Sequence, residues 1–444
     1  MTKKINTREI ALNILMEVFE KGKLSHISLR DNLDKYSELT KQDRAFITRL
    51  AEGTIEKAIQ LDYIINCYSK VKVKKMKPAI RNIIRMGVYQ IKYMDSVPDS
   101  AACNESVRLA VLKGYSGLKG FVNGVLRSYI REPDKGNFSE DNYSVKYSMP
   151  QWIIDMWIQS YGQETTLKML DNAVCDEGIT IRQNKSVCSR EELIKSLTDD
   201  GVDVKESDIT PGVLYIKNVD NPAKLKSMQK GMFQIQDMSS VIAGMALSPE
   251  KDRACIDVCA APGGKTIHAA DMLCNTGTVY SRDLTDGKVK MIDENVKRSG
   301  FTNVITKVWD AAEYDEEMYE KADYLIADLP CSGLGVISKK TDIKYKTKPE
   351  DIDSLVEIQR QILSTVSKYV KPGGVMVFST CTVNLKENNE NVRWIIENLP
   401  FEPESLKGKV PEKLSYESEN DGYMQIFNGD YGMDGFFVAR FRKK

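Results

Sequence analysis

Two cysteines that follow strand-like segments are the residues of this chain best suited to covalent chemistry. Cys331 closes the motif Asp328-Leu-Pro-Cys331, and Cys381 lies in Ser379-Thr380-Cys381-Thr382. A thiolate is a strong nucleophile, whereas a lone buried cysteine usually acts only as a small apolar residue. In the usual order of a doubly wound sheet these two strands are neighbours. The pattern therefore predicts one pocket that contains two thiols and the carboxyl group of Asp328.

A glycine-rich turn precedes this pair and ends in a lysine. It comprises Cys259, Ala260, Ala261, Pro262, Gly263, Gly264 and Lys265. A nucleotide-binding P-loop is excluded, because Cys259 occupies the place of the leading glycine. Asp283 and Asp310 end the next two strand-like segments, where acids accept hydrogen bonds from ribose hydroxyls and an adenine amino group. A glycine turn followed by acids at successive strand ends favours an adenosine-containing ligand.

The elements that must position these residues belong to an α/β fold. From residue 236 to 444, apolar strand-like segments alternate with helical ones, which predicts a mostly parallel, doubly wound, Rossmann-like sheet. The closing segment 424–443 predicts a hairpin, so the last strands are expected to pair antiparallel. Ligands bind such sheets beyond the carboxyl ends of the strands, where the motifs above are located.

Two further domains are predicted before this sheet. Residues 1–135 show helical periodicity throughout and predict an all-α bundle. The polar segment 131–142 predicts a linker. Residues 143–235 follow the order β-α-β-β-α-β, which is typical of a small ferredoxin-like α+β domain.

Composition narrows the class of protein. The chain of 444 residues has no net charge and no apolar segment of membrane-spanning length. Its nine cysteines show no pairwise order that would predict disulfide bonds. We therefore expect a cytoplasmic protein with reduced thiols, no membrane partner and a monomeric state. No metal site is predicted, because Cys255 and Cys259 lack zinc-ligand spacing and the two histidines are far apart in sequence.

Local charge nevertheless points to a polyanion. Between Tyr68 and Met94 there are eight basic residues and no acidic ones. Tyr68, Tyr89 and Tyr93 are interleaved with them, which predicts a phosphate-contacting surface with stacking partners, although most basic stretches are only solvated faces. A second basic segment, 338–348, directly follows the Pro-Cys motif and predicts a clamp on the flanking backbone of a nucleic acid.

The motifs DVCAAPGGKT, D-x-PCSGLG, STC and the closing DGFF together resemble the RNA cytosine-C5 methyltransferases of the Sun type. SVPDSAACNESVRLA and GLKGFVNGVLR resemble the NusB-type RNA-binding domain, and FQIQDMSS resembles the segment that opens the bacterial catalytic domain. The resemblance covers nearly the whole chain. It implies a class I methyltransferase that uses S-adenosylmethionine on 16S ribosomal RNA, either naked or in a partly assembled small subunit.

The resemblance also implies roles for individual residues. Cys381 would attack C6 of cytosine, Cys331 would assist product release, and Asp328 would bind the base or lie near the methyl donor. Lys265 would orient Asp328 or a cysteine. The segment 259–265, with Asp283, Asp310 and Asp328, would bind S-adenosylmethionine.

Three alternatives remain open at this level. In DNA cytosine-C5 methyltransferases the nucleophile belongs to the Pro-Cys motif, which would be Cys331 here. The NusB-like half would also suit an RNA-binding assembly or antitermination factor whose methyltransferase domain is vestigial. A small-molecule methyltransferase would share the sheet but leaves the paired cysteines unexplained.

Overall fold

A computed structural model describes residues 6–36, 38–172, 178–414, 416, 418 and 420–444. The chain forms two compact units. The helical unit comprises 1–166 and 339–347, and the α/β unit comprises 167–338 and 348–444. None of the described helices combines the length and apolar content that a membrane crossing needs. One of the nine cysteines, Cys175, lies outside the described residues.

The helical unit confirms the all-α prediction for the amino-terminal region. Thr40 forms a capping box with Asp43, and its helix ends where Lys57 leaves helical geometry at φ −93° and ψ 14°. The periodic sequence around residue 57 is therefore split into two helices. Seven helices lead to residue 131, and two more follow: α1 Thr7–Lys21, α2 Ser25–Asp34, α3 Lys41–Glu56, α4 Ala58–Tyr68, α5 Pro78–Tyr93, α6 Asp99–Leu112, α7 Lys119–Arg131, α8 Tyr143–Lys146 and α9 Gln151–Asp171.

The basic stretch between α4 and the end of α5 divides into buried and exposed parts. Arg81 pairs with Glu20, and Arg85 pairs with Asp62 at 2.7 Å, so these two cations stabilise the bundle. The Tyr89 ring is buried, and the hydroxyls of Tyr68 and Tyr93 donate to Glu132 O and Gln60 Oε1. The prediction of stacking partners is therefore wrong for Tyr89. The exposed lysines between α4 and α5 form what we call the lysine loop: Lys70, Lys72, Lys74, Lys75 and Lys77.

The segment 339–347 belongs to the helical unit, although it follows the Pro-Cys motif in sequence. Its short helix is α15, Ile343–Lys346. Asp342 is buried and accepts hydrogen bonds from Ser25 N and Ser25 Oγ, and Lys346 Nζ pairs with Asp342 at 2.6 Å. Burial lowers the pKa of Lys344 to about 7. The predicted nucleic-acid clamp is therefore wrong for Lys344 and Lys346, because both amines are engaged or enclosed within this unit.

The first part of the α/β unit confirms the ferredoxin-like prediction. Its four strands lie in the order β2-β3-β1-β4, and every neighbouring pair is antiparallel. The Ser189 capping box starts the first helix. The elements are β1 Ile179–Gln183, α10 Arg190–Asp199, β2 Asp203–Glu206, β3 Val213–Lys217, α11 Lys226–Gln229 and β4 Phe233–Ile235.

The second part confirms the Rossmann-like sheet. The strand order is β10-β12-β9-β8-β5-β6-β7, and β11 pairs with β12. The strands from β9 to β7 pair in parallel, whereas β12 runs antiparallel to β9 and β11, as expected for the closing hairpin. The strands are β5 Ala254–Asp257, β6 Thr278–Asp283, β7 Val304–Val308, β8 Ala322–Asp328, β9 Val370–Thr380, β10 Phe401–Pro403, β11 Tyr423–Ile426 and β12 Phe436–Lys443.

Helices cover both faces of this sheet, and one apolar cluster lies on each face. They are α12 Met238–Leu247, α13 Gly264–Met272, α14 Asp286–Ser299, α16 Pro349–Val366 and α17 Asn389–Asn398. The order of strands reverses at β5, between β8 and β6. A crevice at the carboxyl ends of the strands is expected at such a switch point, which makes that edge the ligand-binding side.

Candidate active site

The two predicted thiols meet at the carboxyl ends of β8 and β9. The Sγ atoms of Cys331 and Cys381 lie 3.4 Å apart, within hydrogen-bonding distance for sulfur. The hydrogen bond with Cys381, together with burial, raises the pKa of Cys331 well above its usual range. Either thiol could donate this hydrogen bond, and the raised pKa of Cys331 favours its S–H group as the donor.

Backbone contacts fix the loops that carry the thiols. Gly335 N donates to Cys381 O at 3.1 Å, and Gly435 N donates to Gly335 O at 2.9 Å. A Cβ atom on Gly335 would lie only 1.9 Å from Gly435 O, so only glycine permits this approach. The Pro-Cys loop is thus held between the Thr-Cys loop and the closing Asp-Gly-Phe-Phe segment.

The carboxylate of Asp328 lies at the end of β8 between a cation and a hydroxyl. Lys265 Nζ pairs with Asp328 Oδ2 at 2.7 Å, and Ser379 Oγ donates to Asp328 Oδ1 at 2.7 Å. Lys265 Nζ also donates to Ser240 Oγ at 2.9 Å. The structure therefore brings Lys265 to Asp328 rather than to a cysteine.

The glycine-rich turn joins β5 to α13. Gly263 has a φ of +101°, a conformation that favours glycine, and precedes the first residue of the helix. Below the turn, the fully buried Asp257 accepts a hydrogen bond from Thr266 Oγ1, and burial raises its pKa to about 7. Its Oδ1 atom has no hydrogen-bond partner among the described residues. The turn thus lies at the carboxyl end of β5, at the switch-point edge of the sheet.

The two further acids lie at the ends of β6 and just beyond β7. Asp283 accepts hydrogen bonds from Ala261 N at 2.9 Å and from Leu284 N and Lys288 Nζ at 2.8 Å each. Asp310 Oδ1 accepts from Ala312 N at 2.9 Å. The contact between Asp283 and Ala261 joins the acid to the glycine-rich turn, so both belong to one site.

Several polar residues of this edge were not predicted. Ser379, Ser240 and Thr266 hydrogen-bond to predicted residues, and Glu387 lies behind both cysteine loops. Each of these residues lies in or near one of the sequence motifs. Single serines, threonines and glutamates, however, have no characteristic spacing that would predict a role in a site. Only the fold identifies them.

Comparisons with known proteins agree with this architecture. Residues 244–442 match the family described as 16S rRNA methyltransferase RsmB/F, residues 5–131 match the NusB family, and residues 149–221 match the ferredoxin-like domain of RsmF/B-like methyltransferases. The chain is 36% identical to the probable ribosomal RNA small subunit methyltransferase B of Bacillus subtilis, over 100% of both chains. The chain belongs to the RsmB family of 16S rRNA methyltransferases.

Other relatives support membership of the RsmB family over the full length. The ribosomal RNA small subunit methyltransferase B of Proteus mirabilis is 28% identical, with 100% of both chains covered. The crystal structure of PH0851 has a TM-score of 0.83 at 24% identity and covers 100% of both chains, which shows the shared fold. The resemblance read from the sequence is therefore confirmed.

S-adenosylmethionine is the methyl donor of the RsmB family, and the residues of this edge fit it. A Cβ atom on Gly263 would lie 3.4 Å from Ile292, so the turn packs closely against α14. Acceptors at the ends of neighbouring strands suit ribose hydroxyls and an adenine amino group. The exposed side chain of Leu284, next to Asp283, adds an apolar surface for a base.

Asp283→Asn is expected to weaken binding of S-adenosylmethionine by about 10- to 100-fold, because hydrogen bonds to a charged acceptor contribute about 1.5–3 kcal/mol. Titration calorimetry of the full chain measures this directly. Asp286→Asn is the matched control, since Asp286 is exposed and pairs with Lys290 across one helical turn. Equal affinity for wild type and Asp283→Asn would remove Asp283 from the donor site.

Proposed function

We propose that the chain transfers a methyl group to C5 of a cytosine in 16S ribosomal RNA through a covalent bond between Cys381 and C6 of the base. The observation that carries this proposal is the pair of thiols, 3.4 Å apart, at the ends of adjacent strands beside Asp328. Binding of RNA or of a donor alone needs neither thiol. A cytosine-C5 reaction uses both, one as nucleophile and one as its partner.

The raised pKa of Cys331 favours Cys381 as the nucleophile. A nucleophilic cysteine must react as the thiolate. The pKa of Cys331 is raised well above its usual range by its hydrogen bond with Cys381 and by burial, which disfavours Cys331 as the attacking thiolate. An S–H donor on Cys331 would in turn stabilise negative charge on the Cys381 sulfur.

In the proposed reaction the Cys381 sulfur forms a bond to C6, and the C5–C6 π electrons shift to C5, which becomes enamine-like. Bound S-adenosylmethionine supplies the electrophilic methyl group that C5 accepts. The C5 proton then leaves to solvent, its electron pair restores the double bond, and the thiolate of Cys381 is expelled. Cys331 assists this last step by donating its S–H hydrogen bond to the departing sulfur. Asp328 holds the amino edge of the base, oriented by Lys265.

A target base inside an RNA stem has to be unstacked to reach these thiols. The proposed substrate is 16S RNA in the cytoplasm, either naked or in a partly assembled subunit. The proposed enzyme acts on it as a monomer.

A doubly labelled reaction tests the chemistry. RNA transcribed with tritium at cytosine C5 is incubated with carbon-labelled S-adenosylmethionine. One tritium released to water for each methyl group incorporated supports the proposal.

Two other outcomes would contradict this proposal. Methyl incorporation without tritium release would place the methyl group on another atom. No incorporation into naked RNA or into small-subunit particles would favour the assembly-factor alternative, in which the catalytic domain is vestigial.

The lysine loop supports an RNA partner for the helical unit. Its backbone is held in place, since Val73 and Met76 are buried and Val73 N donates to Asn66 Oδ1 at 3.0 Å. The five lysine side chains of the loop are exposed, and they form no ion pair within the described residues. A fixed loop with five solvent-facing ammonium groups suits contact with a phosphate backbone.

The triple variant Lys72→Ala/Lys74→Ala/Lys75→Ala is expected to bind 16S RNA about 10- to 100-fold more weakly near 0.1 M salt. Fewer counterions are released, so the slope of log affinity against log salt should fall by about 0.9 for each lost phosphate contact. Filter binding over a salt series measures both quantities. Alanine at the exposed lysines 251, 290 and 297 removes the same charge and should leave the slope unchanged. Equal slopes for both triples would exclude a specific role for the loop.

A further inference from the structure

Glu387 is a buried acid that contacts the Pro-Cys loop directly. It follows Cys381 by six residues and is fully buried. Its Oε1 atom accepts hydrogen bonds from Ser332 N at 2.8 Å and Gln359 Nε2 at 3.2 Å, and its Oε2 atom accepts from Ser332 Oγ at 2.5 Å. Ser332 directly follows Cys331, so this carboxyl group fixes the backbone and side chain next to one of the two thiols.

The same network reaches the second cysteine loop through one hydroxyl. Ser332 Oγ lies 2.7 Å from Thr382 Oγ1, and Thr382 directly follows Cys381. Gln359 Nε2 also donates to Pro330 O at 2.8 Å. Glu387 therefore sets the position of the residues flanking both thiols.

The charge of Glu387 acts on the thiol of Cys331. The groups that act on the Glu387 carboxyl are Ser332 and Gln359, with no cation among them, and burial raises its pKa. Three hydrogen-bond donors nevertheless contact the Glu387 carboxyl group, and this surrounding suits its ionised form, which only accepts hydrogen bonds. Its negative charge is one of the causes that raise the pKa of Cys331, since it disfavours a second anion close by.

We propose that Glu387 is a positioning residue that joins the two cysteine loops and, as a carboxylate, keeps Cys331 protonated so that Cys381 is the thiol that ionises. This inference rests on the proposed function, in which Cys381 attacks and Cys331 donates. In the proposed reaction Glu387 contacts neither the base nor the methyl donor. It determines which of two adjacent thiols reacts.

Glu387→Gln removes the negative charge while it retains the hydrogen-bonding capacity of the side chain. The amide oxygen can still accept from Ser332 N and Gln359, and the amide nitrogen can donate to Ser332 Oγ, whose proton then turns to Thr382. Ser332→Ala makes the complementary change, because it removes the hydroxyl bridge and leaves the carboxylate. Glu390→Gln, three residues later in the first turn of α17 and exposed, is the matched control.

The test is the pH dependence of iodoacetamide alkylation at each cysteine of the full chain without RNA, followed by mass spectrometry of the Cys331 and Cys381 peptides. In wild type and Glu390→Gln, Cys381 should react first as the pH rises. In Glu387→Gln, Cys331 should react about three- to tenfold faster near neutral pH than in wild type, and kcat should fall several-fold at unchanged KM for RNA. Ser332→Ala should lower kcat without changing the order of alkylation.

Unchanged relative alkylation in Glu387→Gln would overturn the inference, and so would equal shifts in Glu387→Gln and Ser332→Ala, which indicate a purely structural role. Because alkylation is measured without RNA, it gives a result even if cytosine is not the target. Thiol reactivity that shifts as expected in a protein that releases no tritium would reject the proposed function and retain the role of Glu387.

Discussion

Cys381→Ala is expected to abolish methyl transfer, with a loss of about 10⁴-fold or more, and to form no covalent complex with RNA. Removal of a nucleophile leaves only binding and electrostatic effects, which cannot replace the lost covalent step. Cys331→Ala is expected to accumulate a covalent protein–RNA species, because the departing Cys381 thiolate loses the hydrogen-bond donor that lies 3.4 Å away.

Denaturing gels of each variant with 16S RNA and S-adenosylmethionine, run beside a methylation assay, measure both effects. Cys274→Ser is the matched control, since Cys274 is an exposed thiol remote in sequence from both motifs. A covalent species from Cys381→Ala and none from Cys331→Ala would transfer the nucleophilic role to Cys331, as in the DNA enzymes. A species from neither would contradict the covalent mechanism.

The parts of the site that could be predicted from sequence are those set by local pattern and strand order. The apolar segments before Asp283, Asp328 and Cys381 become β6, β8 and β9, because buried parallel strands need continuous apolar sequence. The order of a doubly wound sheet then makes β8 and β9 neighbours. Two thiols 50 residues apart in sequence were therefore placed in one pocket by topology alone.

Elements that depend on distant contacts were not predictable in this way. The basic segment 338–348 was assigned to a nucleic acid, yet its Asp342 is buried against Ser25, 317 residues away. Lysines in that segment look like a cationic surface until the packing is known. Glu387 resembles any helix-flanking glutamate for the same reason, since only folding brings it to Ser332.

In the proposed mechanism, the ion pair of Lys265 and Asp328 orients the base and takes no part in the covalent step. The Lys265 side chain is largely buried, and its amine lies 2.7 Å from Asp328 Oδ2 and 5.4 Å from the centre of the Phe436 ring. Ser379 Oγ completes the contacts to the other carboxylate oxygen. Because two donors hold both oxygens, the carboxylate has one orientation at the end of β8.

Asp328→Asn is expected to lower the single-turnover rate of methylation by about 10²- to 10³-fold, since precise placement of a reacting group contributes effects of this size. Lys265→Met should lower it by about 10- to 100-fold. The double variant should be no slower than Asp328→Asn alone, because residues that act as a unit are not additive. Rapid-quench assays at saturating donor give the three rates.

Lys371→Met provides the matched control for this pair. Lys371 pairs with Asp323 at 2.9 Å near the beginning of β8, whereas Asp328 ends the same strand, so the control removes an equivalent ion pair at the opposite edge of the sheet. Its methylation rate should match that of wild type. If the losses of Lys265→Met and Asp328→Asn add in the double variant, Lys265 acts on the substrate or the donor independently. The amine would then be a catalytic group itself, and Asp328 would need another explanation for its fixed orientation.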